Sequence, residues 1–162
     1  MSLFAIGDPH LSLSVNKPMD IFRGWTDYTD RLAKNWNAVV GEGDSVVLPG
    51  DISWAMNFEE AKKDFLFLHS LNGTKYILKG NHDYWWNTMS KMTKFLDENN
   101  LDSIKIIHNN AYSVEGFAIG GTRGWFYDDS EGDVNKVILR EAGRLRASLK
   151  AASELGGEMI AF

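Results

Sequence analysis

The chain has 162 residues, a formal net charge of −5, 44% hydrophobic residues and no cysteine. That is enough for one domain with an adequate core, and the absence of cysteine excludes disulfides and thiolate-held zinc or iron–sulfur centres. No apolar run approaches the roughly 20 residues that a transmembrane helix needs, and no Lys/Arg cluster suggests a face that follows a nucleic-acid backbone. Met1 to Phe4 lack the basic start of a secretory signal, so the expected location is cytoplasmic.

The first predicted strand, Leu3 to Ile6, is short and apolar and ends at Gly7-Asp8-Pro9-His10. A polar loop with a turn at Lys17-Pro18 follows. Trp25, Tyr28, Leu32, Trp36 and Val39 then recur at steps of three and four, which predicts a helix from about Thr26 to Val40. Gly41 to Asp44 stops it. Ser45 to Leu48 is a continuous apolar run of the kind buried on both faces of a parallel sheet, and it ends at Pro49-Gly50-Asp51.

A second helix is expected from Asn57 to about Leu71, with Glu60 placed as the capping-box partner of Asn57. Lys75 to Leu78 forms the next strand and leads into Gly80-Asn81-His82-Asp83. A third helix over Thr88 to Glu98 precedes short strands near Ile104 to Ile107, Ala111 to Val114 and Phe117 to Ile119. Glu115-Gly116 suits a two-residue hairpin turn between the last two. After the Gly-rich loop from Gly120 to Ser130, a long helix spans about Val134 to Leu155, and Met159 to Phe162 reads as a buried strand. Alternating strands and helices imply a parallel sheet in the first half. The hairpin adds antiparallel pairing, so the sheet is expected to be mixed. The fold class is α/β, a layered sandwich flanked by helices, with residues 1–162 as one domain.

The polar residues concentrate in one place. Asp8 and His10, then Asp51, then Asn81 and His82 follow the carboxyl ends of successive parallel strands, the edge where open α/β sheets bind ligands. Gly7, Gly50 and Gly80 stand where the backbone must turn or approach closely. Two carboxylates, an amide oxygen and two imidazoles make a mixed oxygen–nitrogen site suited to manganese, iron or zinc. Two such ions about 3.5–4 Å apart can clamp a phosphoryl group, and Asp51, central among the loops, is the natural bridge. Taken singly, an Asp after a strand is an ordinary turn or cap residue. The combination, in order and always at strand ends, is what points to a metal site.

These motifs resemble the calcineurin-like metallophosphoesterases, whose D-x-H, G-D and G-N-H-D/E elements appear as Asp8-Pro9-His10, Gly50-Asp51 and Gly80-Asn81-His82-Asp83. The resemblance implies that Asp8, His10 and Asp51 hold one divalent metal ion and that Asp51 and Asn81 hold a second. It implies that His82 protonates the leaving oxygen or stabilises the transition state, while a hydroxide between the metals attacks phosphorus in line. The reaction would be hydrolysis of a phosphomonoester or phosphodiester, on a small phosphorylated substrate. The family also supplies a later lone His and a G-H-x-H motif, which are absent here. His69 falls late in an amphipathic helix and reads as structural. His108 ends a strand but comes in the wrong order for a ligand. The second ion would have two protein ligands where catalytic sites usually have at least three. The expectation is therefore a chain lacking the second half of the metal site, binding one metal weakly or none.

Among further candidates, Trp54 and the pair Trp85-Trp86 are placed to wall a substrate pocket, while Trp25 and Trp36 read as core. Arg123 could hold a substrate phosphate or pair with Asp128 or Asp129; the ion pair is the favoured reading. Two rivals to a phosphoesterase stand beside it: a nuclease, which would call for a basic groove, and a protein-binding module that has lost catalysis.

Overall fold

The computed structural model describes residues 1–124 and 134–162. Strands β1 (Leu3–Ala5), β2 (Ser45–Leu48), β3 (Thr74–Ile77) and β4 (Ile104–Ile106) form one sheet in that order, every neighbour parallel. Helices α1 (Tyr28–Val39), α2 (Phe58–Ser70) and α3 (Met89–Glu98) make the crossovers. A second sheet holds β5 (Ala111–Val114), β6 (Phe117–Gly120) and β7 (Glu158–Ala161), with β5 antiparallel and β7 parallel to β6. Helix α4 (Val134–Leu155) lies on this second sheet.

The hairpin therefore does not widen the first sheet, as the sequence reading expected. It starts a new one, and the antiparallel pairing is confined there. The reason lies in alternation along the strands. Val46, Leu48, Ile77, Ile104 and Ile106 join Phe65, Leu68 and Phe95 of the helices in one core. Val47, Tyr76 and Leu78 face the other way and meet Val114, Phe117, Ile119 and Ile160 of the second sheet. A parallel sheet apolar on both faces must be covered on both. Helices cover one side, and a sheet backed by α4 covers the other.

Local signals explain most element boundaries. Asn57 caps α2 by accepting from Glu60 N at 3.0 Å, and Glu60 reaches back to Met56 N at 2.8 Å. Glu115 and Gly116 take φ of 51° and 85°, the left-handed pair that a two-residue hairpin demands. Trp36 is buried as expected, with its indole N–H donating to Asn72 O. Trp25, expected on the helix face, instead sits before α1 and packs against Tyr28. A short 3-10 turn at Met19–Ile21 went unread. No helix among the described residues is long and apolar enough to cross a membrane.

Lys75 is fully buried in β3. Its ammonium donates to Leu71 O at 2.6 Å and Gly73 O at 2.7 Å, satisfying carbonyls past the end of α2. Burial lowers its pKa from 10.5 to about 8, against a weaker opposing pull from Asp102. The unfolded chain then binds more protons than the folded one between those values, so stability rises with pH across that window. Urea unfolding at pH 8, 9 and 10 should show wild type gaining on Lys75→Met as pH rises, toward about 3 kcal/mol if the whole window is traversed. Parallel curves for the two proteins would contradict the assignment.

Candidate metal centre

Three loops leave the carboxyl ends of β1, β2 and β3 and are laced to one another by main-chain bonds. His10 N donates to Asp51 O and Leu11 N to Ile52 O, both at 3.0 Å, and Trp54 N returns to Leu11 O at 2.9 Å. The β2 and β3 loops touch backbone to backbone. A Cβ on Gly80 would overlap the main-chain nitrogen and Oδ1 of Asp51, and one on Gly50 would strike Gly80 Cα. Only glycine fits at these two positions, and Gly50 also has a φ of 133°.

Two buried carboxylates fix the loops from beneath. Asp83 accepts from Gly80 N at 2.7 Å, Ile52 N at 2.8 Å, Ser53 N at 3.3 Å and the Trp85 indole at 3.0 Å. Burial pushes its pKa up to about 6, against the N–H donors that favour the charged form. Asp64 of α2 accepts from Leu13 N at 2.8 Å and from the Ser53 hydroxyl, tying the β1 and β2 loops to a helix. Burial raises its pKa as well.

On this frame the structure brings together Asp8, His10 and Asp51, whose candidate ligand atoms all lie within 4.8 Å of one another. All three have left-handed backbones, with φ of 55°, 45° and 51°. L residues rarely hold that conformation, which costs on the order of 1–2 kcal/mol each, and such strain gathers at functional sites. Nε2 of His10 lies 3.7 Å from Asp51 Oδ2, and its Nδ1 is buried without a hydrogen-bond partner among the described residues. Burial lowers the His10 pKa, assisted by His82 and opposed by Asp51 and Asp8. A neutral imidazole between two carboxylates is a donor set that suits a divalent cation.

His82 adjoins the group. Its backbone N–H donates to Asp51 Oδ1 at 2.9 Å, and its ring centroid lies 5.6 Å from that of His10. The Trp54 ring stacks with both, at 4.5 Å from His82 and 4.9 Å from His10. The Asn81 side chain is exposed and lies against the His82 ring, with Nδ2 3.2 Å from Nδ1. Lys17, in the polar loop after β1, places its ammonium 5.1 Å from the centre of the Trp54 ring.

Other candidates fall elsewhere. Trp85 is core, edge-on to Phe65. His69 bonds Ser103 Oγ at 2.8 Å, beside the start of β4, which is a structural role. His108 and Trp86 face each other at 6.3 Å near the end of β4, and neither is in the three-residue cluster. Arg123 is buried and pairs with Glu141 at 3.3 Å. Asp128 and Asp129, the partners favoured from sequence, lie outside the described residues.

The sequence profile of the calcineurin-like phosphoesterases matches residues 1–148. The chain belongs to that family. Its members typically use divalent metals to hydrolyse phosphoesters, and the Asp8, His10, Asp51 group can bind one. An uncharacterized protein of Methanocaldococcus jannaschii is 28% identical over 123 residues, 70% of this chain and 67% of its own length. A protein of unknown function from Aquifex aeolicus aligns structurally with a TM-score of 0.44 and 17% identity, covering 88% of this chain and 75% of the other.

Asp83 was overlooked as a working residue although it ends the G-N-H-D motif, and Asp64 although it interrupts the apolar face of α2 between Ala61, Phe65 and Leu68. A charge on a buried helix face was the available signal. Asp83→Ala leaves buried N–H groups without an acceptor, which should cost about 2–4 kcal/mol in urea unfolding and weaken manganese uptake. Asp97→Ala, on an exposed helix face, should change stability by less than about 0.5 kcal/mol. Equal effects from the two substitutions would remove Asp83 from its structural role.

Proposed function

We propose that this protein hydrolyses a phosphomonoester or phosphodiester of a small molecule with two divalent metal ions, manganese, iron or zinc, and that it works in the cytoplasm. The observation that carries the reading is the convergence of Asp8, His10 and Asp51 at strained backbone positions. In this reading Asp8, His10 and Asp51 would hold one ion, and Asp51 and Asn81 would hold the second. Ions held there would supply Lewis acidity at the phosphoryl oxygens and a water-derived nucleophile at neutral pH.

The remaining roles belong to the chain itself. The carboxylates of Asp8 and Asp51 set the charge of the site. Asp51 also orients His82 through its backbone N–H, so that ligand and acid move as one unit. His82 donates a proton to the departing oxygen as the phosphorus–oxygen bond breaks. Trp54 keeps the two imidazoles in place by stacking and forms one wall of the substrate site. Lys17, held over that indole, attracts an incoming phosphate.

Elemental analysis of manganese-loaded protein, paired with hydrolysis of p-nitrophenyl phosphate and its bis-ester, tests this. His82→Ala should lose 10²–10⁴-fold in kcat while retaining metal, as expected for general-acid catalysis. Asp51→Ala should lose metal and activity together. Wild type that binds manganese but turns over neither ester would favour a non-catalytic binding module on the same scaffold.

A further inference from the structure

A cavity of about 440 Å³ adjoins the candidate metal centre directly. The loop after β1 walls it on one side, and the approach to α1 with the first turns of that helix walls it on the other. Asp8 belongs both to this lining and to the group with His10 and Asp51, so cavity and metal centre share a residue. Tyr28, another lining residue, supplies a second tie, because its hydroxyl donates to His10 O at 3.0 Å. Whatever fills the cavity therefore lies next to a group held at Asp8, His10 and Asp51.

Most of the lining comes from one stripe of sequence. Trp25, Tyr28, Arg31, Leu32 and Asn35 recur at separations of three and four, the spacing that puts residues on one side of a helix. The period that made Trp25 look like part of α1 thus serves a cavity wall. Tyr28 and Leu32 also pack with Ile6 against the core, which gives the cavity an apolar floor. The Trp25 and Tyr28 rings lie 5.2 Å apart and both residues are half-buried. Arg31 and Asn35, one helical turn apart and exposed, add hydrogen-bonding groups to the rim. These walls are set before any ligand arrives. Trp25 N donates to Phe22 O at 3.0 Å, Tyr28 N to Trp25 O at 3.1 Å, and the Arg31 guanidinium to Gly24 O. That bond uses one of the several N–H donors of Arg31. A wall fixed in advance removes much of the ordering cost of binding.

Indole and phenol rings beside an aliphatic floor suit a flat, unsaturated group, because ring faces attract one another beyond the burial of their area. Amide and guanidinium groups are the side chains that read the hydrogen-bonding edges of bases. We propose that this cavity receives a nucleobase, and that the substrate is a nucleoside phosphate with its phosphoryl group at Asp8, His10 and Asp51 and its base against Trp25 and Tyr28. An alkyl chain would fill the same floor but leave the polar groups of Arg31 and Asn35 without use. A net charge of −5 offers no track for a longer strand, which limits the substrate to a mononucleotide. The proposal rests on the phosphoesterase reading for the placement of the phosphate, but the base subsite itself does not require turnover.

The test compares adenosine monophosphate with ribose 5-phosphate, which carries the same primary phosphoester and lacks the base. Calorimetric titration into manganese-loaded protein should show adenosine monophosphate bound about tenfold more tightly or better, the scale expected for stacking one base. The ratio of the two affinities within one preparation cancels differences in metal content. Trp25→Ala should cut that ratio about fivefold or more. Asn35→Ala, at an exposed position, should lower it about threefold, the loss of a hydrogen bond, and serves if Trp25→Ala fails to fold. A wild-type ratio near one, no binding of either ligand, or ratios unchanged in both variants would overturn the proposal. Hexyl phosphate bound as tightly as adenosine monophosphate would assign the cavity to an alkyl chain instead. Hydrolysis of both esters with equal KM would sink the base subsite and leave the phosphoesterase reading standing. Selective binding of adenosine monophosphate with turnover of neither ester would do the reverse.

Discussion

The carboxylate of Asp83 is the contact on which the strand-end rim depends. Four N–H donors from two loops converge on it, which draws the turn after β2 against the turn after β3 until glycine alone fits at positions 50 and 80. Asp51 is thereby placed between the other two loops, its main-chain oxygen bonded to His10 N and its Oδ1 to His82 N. The position of each functional side chain follows from this lacing more than from its own packing. A buried carboxylate held above its usual pKa by desolvation is expensive, and it is tolerated because each N–H it satisfies would otherwise be orphaned.

The two faces of the first sheet divide the labour. The helical side, with Trp36, Phe65, Leu68 and Phe95, holds the parallel strands in register and supplies Asp64 beneath the loops. The opposite side meets the second sheet, and α4 behind that sheet carries Arg140 and Arg144. The candidate metal centre and a cavity lined by Arg123, Arg140 and Arg144 therefore draw on different layers of the molecule. Among the described residues, the segment after β3 contributes to both.

Much of this was legible in the sequence, because the signals concerned were local. The apolar run at Ser45 to Leu48, the Asn57–Glu60 cap and the Glu115-Gly116 turn each dictate a conformation within a few residues, and each appears where expected. Asp8, His10 and Asp51 could be read because strand ends and glycines announce a rim. What escaped depends on long-range partners. Nothing within a few residues of Ala111 says that the hairpin pairs with β7 rather than with β4. Arg123 finds Glu141 on a helix 18 positions onward, and Asp64 finds Ser53 and Leu13 across two loops. Trp25 was misplaced because its spacing fits the helix period, although the chain enters the helix only at Tyr28.

The left-handed backbones of Asp8, His10 and Asp51 have an evolutionary corollary. Each is a conformation that glycine adopts freely, so replacing a ligand by glycine would relax the loop backbone, and at Asp8 it would also dilute the local negative charge. The penalty for glycine's extra freedom in the unfolded chain, about 0.5–1 kcal/mol, is no larger than the strain removed. Loss of the Asp8 side chain is then close to neutral, or even favourable, for folding, whereas loss of Asp51 also leaves His82 N without its acceptor. Selection for the chemistry, and not for a durable scaffold, is what would keep Asp8 in a lineage, and descendants released from that selection should shed it before Asp51 while the sandwich persists.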